Sequence, residues 1–145
     1  MNDTSNEPMD LELTELARAA VACRSFRWVP GMRCIAMRAE PLEPIITRVP
    51  DNTRGWKPYE NSLPDLRDAA TLGCLLMLAR KAWQDETLYV RLSDDFRLSD
   101  GKRAWEANGW CNASTSPDKR PGAWRAWGFA HEAETIVACL RGAHQ

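Results

Sequence analysis

Between Asp65 and Trp83 the chain carries a run that burial on a single side cannot satisfy, Asp-Leu-Arg-Asp-Ala-Ala-Thr-Leu-Gly-Cys-Leu-Leu-Met-Leu-Ala-Arg-Lys-Ala-Trp. Leu72, Leu75, Leu76, Ala79 and Trp83 recur at the spacing of one helix face. Ala70, Cys74, Met77 and Leu78 widen that stripe past half the circumference, and only Thr71, Arg80 and Lys81 read as wet. A helix with so little polar surface must be covered on more than one side, which makes it the expected centre of the fold.

The rest of the chain sets limits around that helix. Its 145 residues are enough for one domain with a real core. A net charge of -1 argues against a dominant electrostatic grip on nucleic acid, which needs clustered Lys and Arg. No apolar run approaches the length of a membrane span, and residues 1–9 are too polar for a signal peptide, so a cytosolic protein is expected. The five cysteines (Cys23, Cys34, Cys74, Cys111 and Cys139) are scattered, odd in number and set in apolar patterns. With no C-x-x-C pair and no zinc spacing, they read as buried reduced thiols.

Residues 1–9 lack periodicity and read as a disordered tail, followed by one domain over 10–142 and a short tail at 143–145. Asp10 can cap a helix to about Cys23, with Leu13, Leu16, Ala17, Ala20 and Val21 as its buried stripe. Residues 32–38 and 44–49 read as strands, the second near a sheet edge because Pro41 and Pro44 cannot donate to a ladder. Residues 50–64 read as a long Pro-broken surface loop carrying Trp56 and Tyr59. Residues 87–92 alternate as a strand with Leu88, Val90 and Leu92 inward. Asp100-Gly101 and Asn108-Gly109 are both tight-hairpin signals, implying a meander over 96–98, 103–107, 110–114 and 123–129. Residues 94–105 read either as part of that meander or as an irregular insertion, and 116–122 as a loop. A last helix over 131–141 buries Ala133, Ile136, Val137 and Leu140, and Gly142 is expected to stop it.

The resulting order is α-β-β-α-β-β-β-α, an α+β domain with helices packed on a mostly antiparallel sheet.

Catalytic signals are missing. His131-Glu132-Ala133-Glu134 lacks the second histidine of H-E-x-x-H because Thr135 stands in its place. His131 and His144 read as structural or solvated, so no metal or other cofactor is expected. No Ser or Cys sits in an elbow, a triad order or a phosphate-binding glycine loop. Asp94, Asp95 and Asp118 fall in loops, where solvated charge is the ordinary state. The expectation is a protein that is not an enzyme.

Seven tryptophans against two tyrosines are the compositional oddity. Trp28, Trp83 and Trp110 fall on apolar-periodic positions and read as core. Trp124 and Trp127 are three apart, so a regular strand turns at most one of them inward. Trp56 and Trp105 lie in or beside polar loops. Trp and Arg are the residues most enriched at binding hot spots, and residues 119–127 mix both. The candidate binding residues are therefore Trp124, Arg125, Trp127, Arg120, Trp105 and Trp56. The same segment also fits a plain amphipathic edge strand, or a site stacking a nucleobase between Trp and Arg. In the last case Arg91, Arg97, Lys102 and Arg103 would supply phosphate contacts.

Over residues 63–142 the chain resembles the small phage-encoded proteins of the phage ABA sandwich family and related prophage proteins. The resemblance rests on residues 68–76 leading to Ala82-Trp83, on Gly109-Trp110-Cys111, and on the helix over 132–140. Residues 26–32 are also similar to the opening of such proteins, and 94–105 depart from the shorter family pattern. No catalytic residues are assigned in that family, so none carries over. The resemblance implies a phage or prophage accessory protein in the cytoplasm of a bacterial host. By analogy it would act by binding and inhibiting a host defence protein. Sequestration of a nucleotide or nucleic-acid strand is the alternative, and a structural or assembly component of the phage particle the third. The sequence leaves open whether the protein is a monomer or a dimer.

Overall fold

Aspartates start the first two helices. Asp10 accepts a hydrogen bond from the Leu13 N–H at 2.8 Å to open α1 (Leu11–Val21). Asp68 accepts from the N–H and hydroxyl of Thr71 to open α2 (Ala69–Trp83). Gln84, in the left-handed region at φ 55°, closes α2 by turning its N–H back onto the carbonyls of Arg80 and Lys81. This computed structural model describes residues 9–38, 43–111 and 122–143. The other elements are β1 (Arg33–Arg38), β2 (Glu43–Arg48), β3 (Leu63–Pro64), β4 (Tyr89–Arg97), β5 (Arg103–Cys111), β6 (Gly122–Phe129) and α3 (Glu132–Gly142).

The α+β class and the element order are those the sequence implies, with the two-residue β3 added at the end of the 50–64 loop. The strands form two antiparallel sheets, ordered β2-β1-β3 and β4-β5-β6. β2, with Pro44, lies at an edge as expected.

The hub is α3 rather than α2. α3 packs against all three strands of the second sheet and against both other helices. It buries Ala133, Thr135, Ile136, Val137, Cys139 and Leu140. α2 buries Thr71, Leu75, Leu78, Ala79 and Trp83, a stripe rotated from the one its leucines suggest, while Met77 stays partly exposed. Thr71 enters the interior because its hydroxyl is used twice: it donates to Asp68 and accepts the Arg33 N–H at 2.8 Å. Arg48 reaches the same Asp68 with both terminal nitrogens, at 3.0 and 3.2 Å, so the start of α2 is bonded to the first sheet.

Two glycines have jobs other than turning the chain. Gly109 lies inside β5, so Asn108-Gly109 is not a hairpin turn; only Asp100-Gly101 is, with Gly101 at φ 86°. A Cβ at Gly109 would stand 2.7 Å from Asp85 Oδ2 and from Leu88 Cδ1, which is why no side chain fits there. Gly142 does not stop α3 but belongs to it, where a Cβ would press on the rings of Trp83 and Trp124 at 3.3 Å.

Elsewhere, Met9 and Ala143, assigned to the tails by sequence, join the core, and Val21 is partly exposed instead of buried. Residues 1–8 and His144 lie outside the described residues. Cys23, Cys34, Cys74 and Cys139 are free thiols, all buried except the half-buried Cys74. Burial pushes the Cys139 thiol up to about 12. No helix among the described residues is long and apolar enough to cross a membrane.

Candidate binding face

The register of the second sheet decides which side chains share a face. Arg91 stands opposite Glu106, and Glu106 opposite Trp127. In the adjacent row Tyr89 stands opposite Asn108, and Asn108 opposite Arg125. Trp110 follows two residues beyond Asn108 along β5. Directly opposed residues point to the same side of a sheet, so these seven share one face. Trp124, paired with Gly109, belongs to the other side. There it packs against Trp83, ring centres 4.6 Å apart and the planes tilted by 39°.

Irregularities in the strands shape the face. Between Trp105–Phe129 and Glu106–Trp127 the register shifts, and Gly128, at φ 90°, is the extra residue. β4 shifts between Leu92 and Arg97. There Ser93 Oγ accepts the N–H groups of Asp95 and Phe96, and Arg103 donates to the Ser93 carbonyl at 2.9 Å. Arg103 also reaches Asp94 Oδ1 at 2.6 Å. The bulge places the Phe96 ring beside that of Trp127, stacked at 5.6 Å with 22° between the planes.

Glu106 lies at the centre and is fully buried. Its Oε1 accepts Arg91 Nε at 2.9 Å, and its Oε2 accepts Nε and Nη2 of Arg125. Burial pushes the Glu106 carboxyl up, but the hydrogen bonds from Arg125 and Arg91 outweigh it, and its pKa lies below the ordinary glutamate value. The Arg125 guanidinium also lies over Phe96, 4.9 Å from the ring centre, and near Trp127 at 5.8 Å. Arg91 lies 5.5 Å from the Tyr89 ring centre. Two guanidiniums against one carboxylate leave the cluster with one net positive charge.

Trp127 is 53% exposed and Trp110 56%, and Tyr89 is also exposed. The Trp110 N–H donates to Asp85 Oδ2 at 2.6 Å, which fixes the backbone of that end of β5. Burial pushes the Asp85 carboxyl up, but its bonds from Thr87 and Trp110 hold it below the ordinary range. Asn108 Nδ2 is shielded from solvent and has no acceptor among the described residues. It is an unsatisfied donor in the middle row of the face.

The sequence-derived candidates therefore separate. Arg125 and Trp127 come together with Phe96, while Trp124 packs inward. Trp56 is half-buried and packs edge-on against Trp28, at 6.4 Å. Trp105 is half-buried on β5, paired with Leu92 and Phe129. Arg120 lies outside the described residues. Trp110, read from its periodicity as core, is exposed because it follows the phase of Glu106 and Asn108. Arg91 does line the face, whereas Arg103 is bound to the bulge. Tyr89 and Glu106 are additions that only the register reveals, and Phe96 is one that the irregularity in β4 brings in.

No family model matches the chain, and no curated protein or solved structure shows significant similarity to it.

Proposed function

We propose that this is a non-catalytic phage or prophage accessory protein that docks a host protein through the outer face of its second sheet and inhibits it, with a defence protein as the target. The observation that carries the docking reading is the exposure of Trp127 and Trp110 on one face with Arg125, which is held by the buried Glu106. Exposed tryptophan beside a fixed arginine is the composition of a protein-binding hot spot. The phage setting and the cytoplasm of a bacterial host rest on the family resemblance alone.

One observation favours a second reading, sequestration of a nucleotide or nucleic-acid strand: the stacked Phe96–Trp127 pair under Arg125 could hold a base. Against it, Arg91 and Arg125 both turn onto Glu106 and Arg103 onto the bulge, so these three arginines are already engaged by groups of the protein itself.

Native mass spectrometry of the protein purified from bacterial lysate tests the proposal, alongside an Arg125→Ala/Trp127→Ala variant. A stoichiometric host protein, present on the parent and absent from the variant, is the expected result. A bound mass of a few hundred daltons would replace this reading with the nucleotide one. Large self-assembly would replace it with a structural role.

A further inference from the structure

The first turns of α1 and α3 bring Glu12, His131 and Glu134 together, with one ligand atom from each within 4.8 Å of the other two. His131 is the residue before α3 and Glu134 lies three positions on, the spacing that puts both on one side of a helix. Glu12 comes from the first turn of α1, which packs against α3.

This group differs from a surface patch of acids. It combines an imidazole with two carboxylates drawn from two helices. None of the three side chains has a hydrogen-bond or ion-pair partner among the described residues. The basic residue of α1, Arg18, is bound to Glu15 at 2.9 Å. His131 has the extended backbone of a capping residue, φ -131° and ψ 149°, yet its side chain makes no capping bond. Both ring nitrogens are therefore uncommitted among the described residues, while two like charges sit within 4.8 Å of each other.

Nitrogen and oxygen donors in this combination suit zinc and its first-row neighbours. Bonds of about 2.0–2.2 Å require each ligand atom to move inward by less than about 1 Å, within reach of exposed side chains. Two carboxylates also match the charge of a divalent ion and outweigh the positive ends of the two helices, which oppose it. We infer that Glu12, His131 and Glu134 bind one divalent transition-metal ion, which clips the start of α1 to the start of α3 and leaves its remaining positions open to water. The inference is independent of the sheet face.

The test is calorimetric titration of ZnCl2 into the untagged, chelator-treated full chain. Saturable one-to-one binding is expected, weakened at least about ten-fold by His131→Ala and by Glu134→Gln. Glu132→Gln, on the same turn but outside the group, should leave it unchanged. No saturable binding, or equal binding by the His131→Ala variant, overturns the inference. If either variant melts lower than the parent in EDTA, the His131 ring signals of the parent decide by NMR. A shift on adding Zn2+ supports the site, and unchanged signals at saturation overturn it.

Discussion

The indole N–H of Trp83 donates to the carbonyl oxygen of Cys139 at 2.8 Å, a buried bond between residues 56 positions apart that joins α2 to α3. Trp83→Phe removes the donor and leaves both a void and a buried carbonyl. The expected loss is about 1–3 kcal/mol for the bond, with a further penalty for the void. Urea unfolding followed by circular dichroism measures it. A loss inside experimental error would mean that the bond adds nothing to the helix pairing.

Glycine-to-alanine changes should act in opposite directions at two sites. Gly109→Ala drives a methyl into Asp85 and Leu88 and should cost about 1–3 kcal/mol or more. Gly73→Ala, in α2 with nothing within 4 Å, should add about 0.5–1 kcal/mol through helix propensity. Melting curves of the two variants against the parent give the signs directly.

Trp124 and Trp127, close in sequence, should separate stability from binding. Trp124→Ala removes the ring packed against Trp83 and should destabilise by about 2–4 kcal/mol. Trp127→Ala loses an exposed ring and should stay within about 1 kcal/mol of the parent while abolishing capture of the partner. Equal loss of stability in both would show that the outer face serves folding alone.

Acid should unfold the protein through three carboxylates. At Asp68, Asp85 and Glu106 burial acts to raise the pKa, but hydrogen bonds from Arg48 and Thr71, from Thr87 and Trp110, and from Arg125 and Arg91 bring each below its ordinary value of 3.8, 3.8 or 4.5. The unfolded chain therefore binds more protons in that range. Their stabilisation is complete above the ordinary values and is lost as pH falls through the lower folded ones. Urea midpoints between pH 6 and 2.5 should decline below about pH 4.5, less steeply in Glu106→Gln. An unchanged slope in that variant would remove Glu106 from the account.

Periodicity and capping residues made the three helices and the antiparallel strands legible in the sequence. The phase of α2 was less so, because Thr71 is polar by composition and becomes a core residue only when Asp68 and Arg33 engage its hydroxyl. Asn108-Gly109 signals a hairpin to any local reading; its glycine answers instead to Asp85 and Leu88, which a local window cannot see. The candidate binding face was half visible. Arg125 and Trp127 stood out as residue types, but their grouping with Phe96, Arg91 and Glu106 depends on the bulges at Gly128 and Ser93. Each shifts the pairing in a way that composition does not encode.

The clamp on Arg125 has a thermodynamic consequence for association. Freezing a flexible side chain at an interface ordinarily costs about 0.5–1.5 kcal/mol of conformational entropy. Here Glu106 holds the guanidinium and Phe96 and Trp127 lie beneath it, so its rotamer is selected during folding, before any partner arrives. Glu106 is buried and touches no partner, yet loosening it would restore that freedom to Arg125. The affinity of the face would then fall although every exposed residue on it was unchanged.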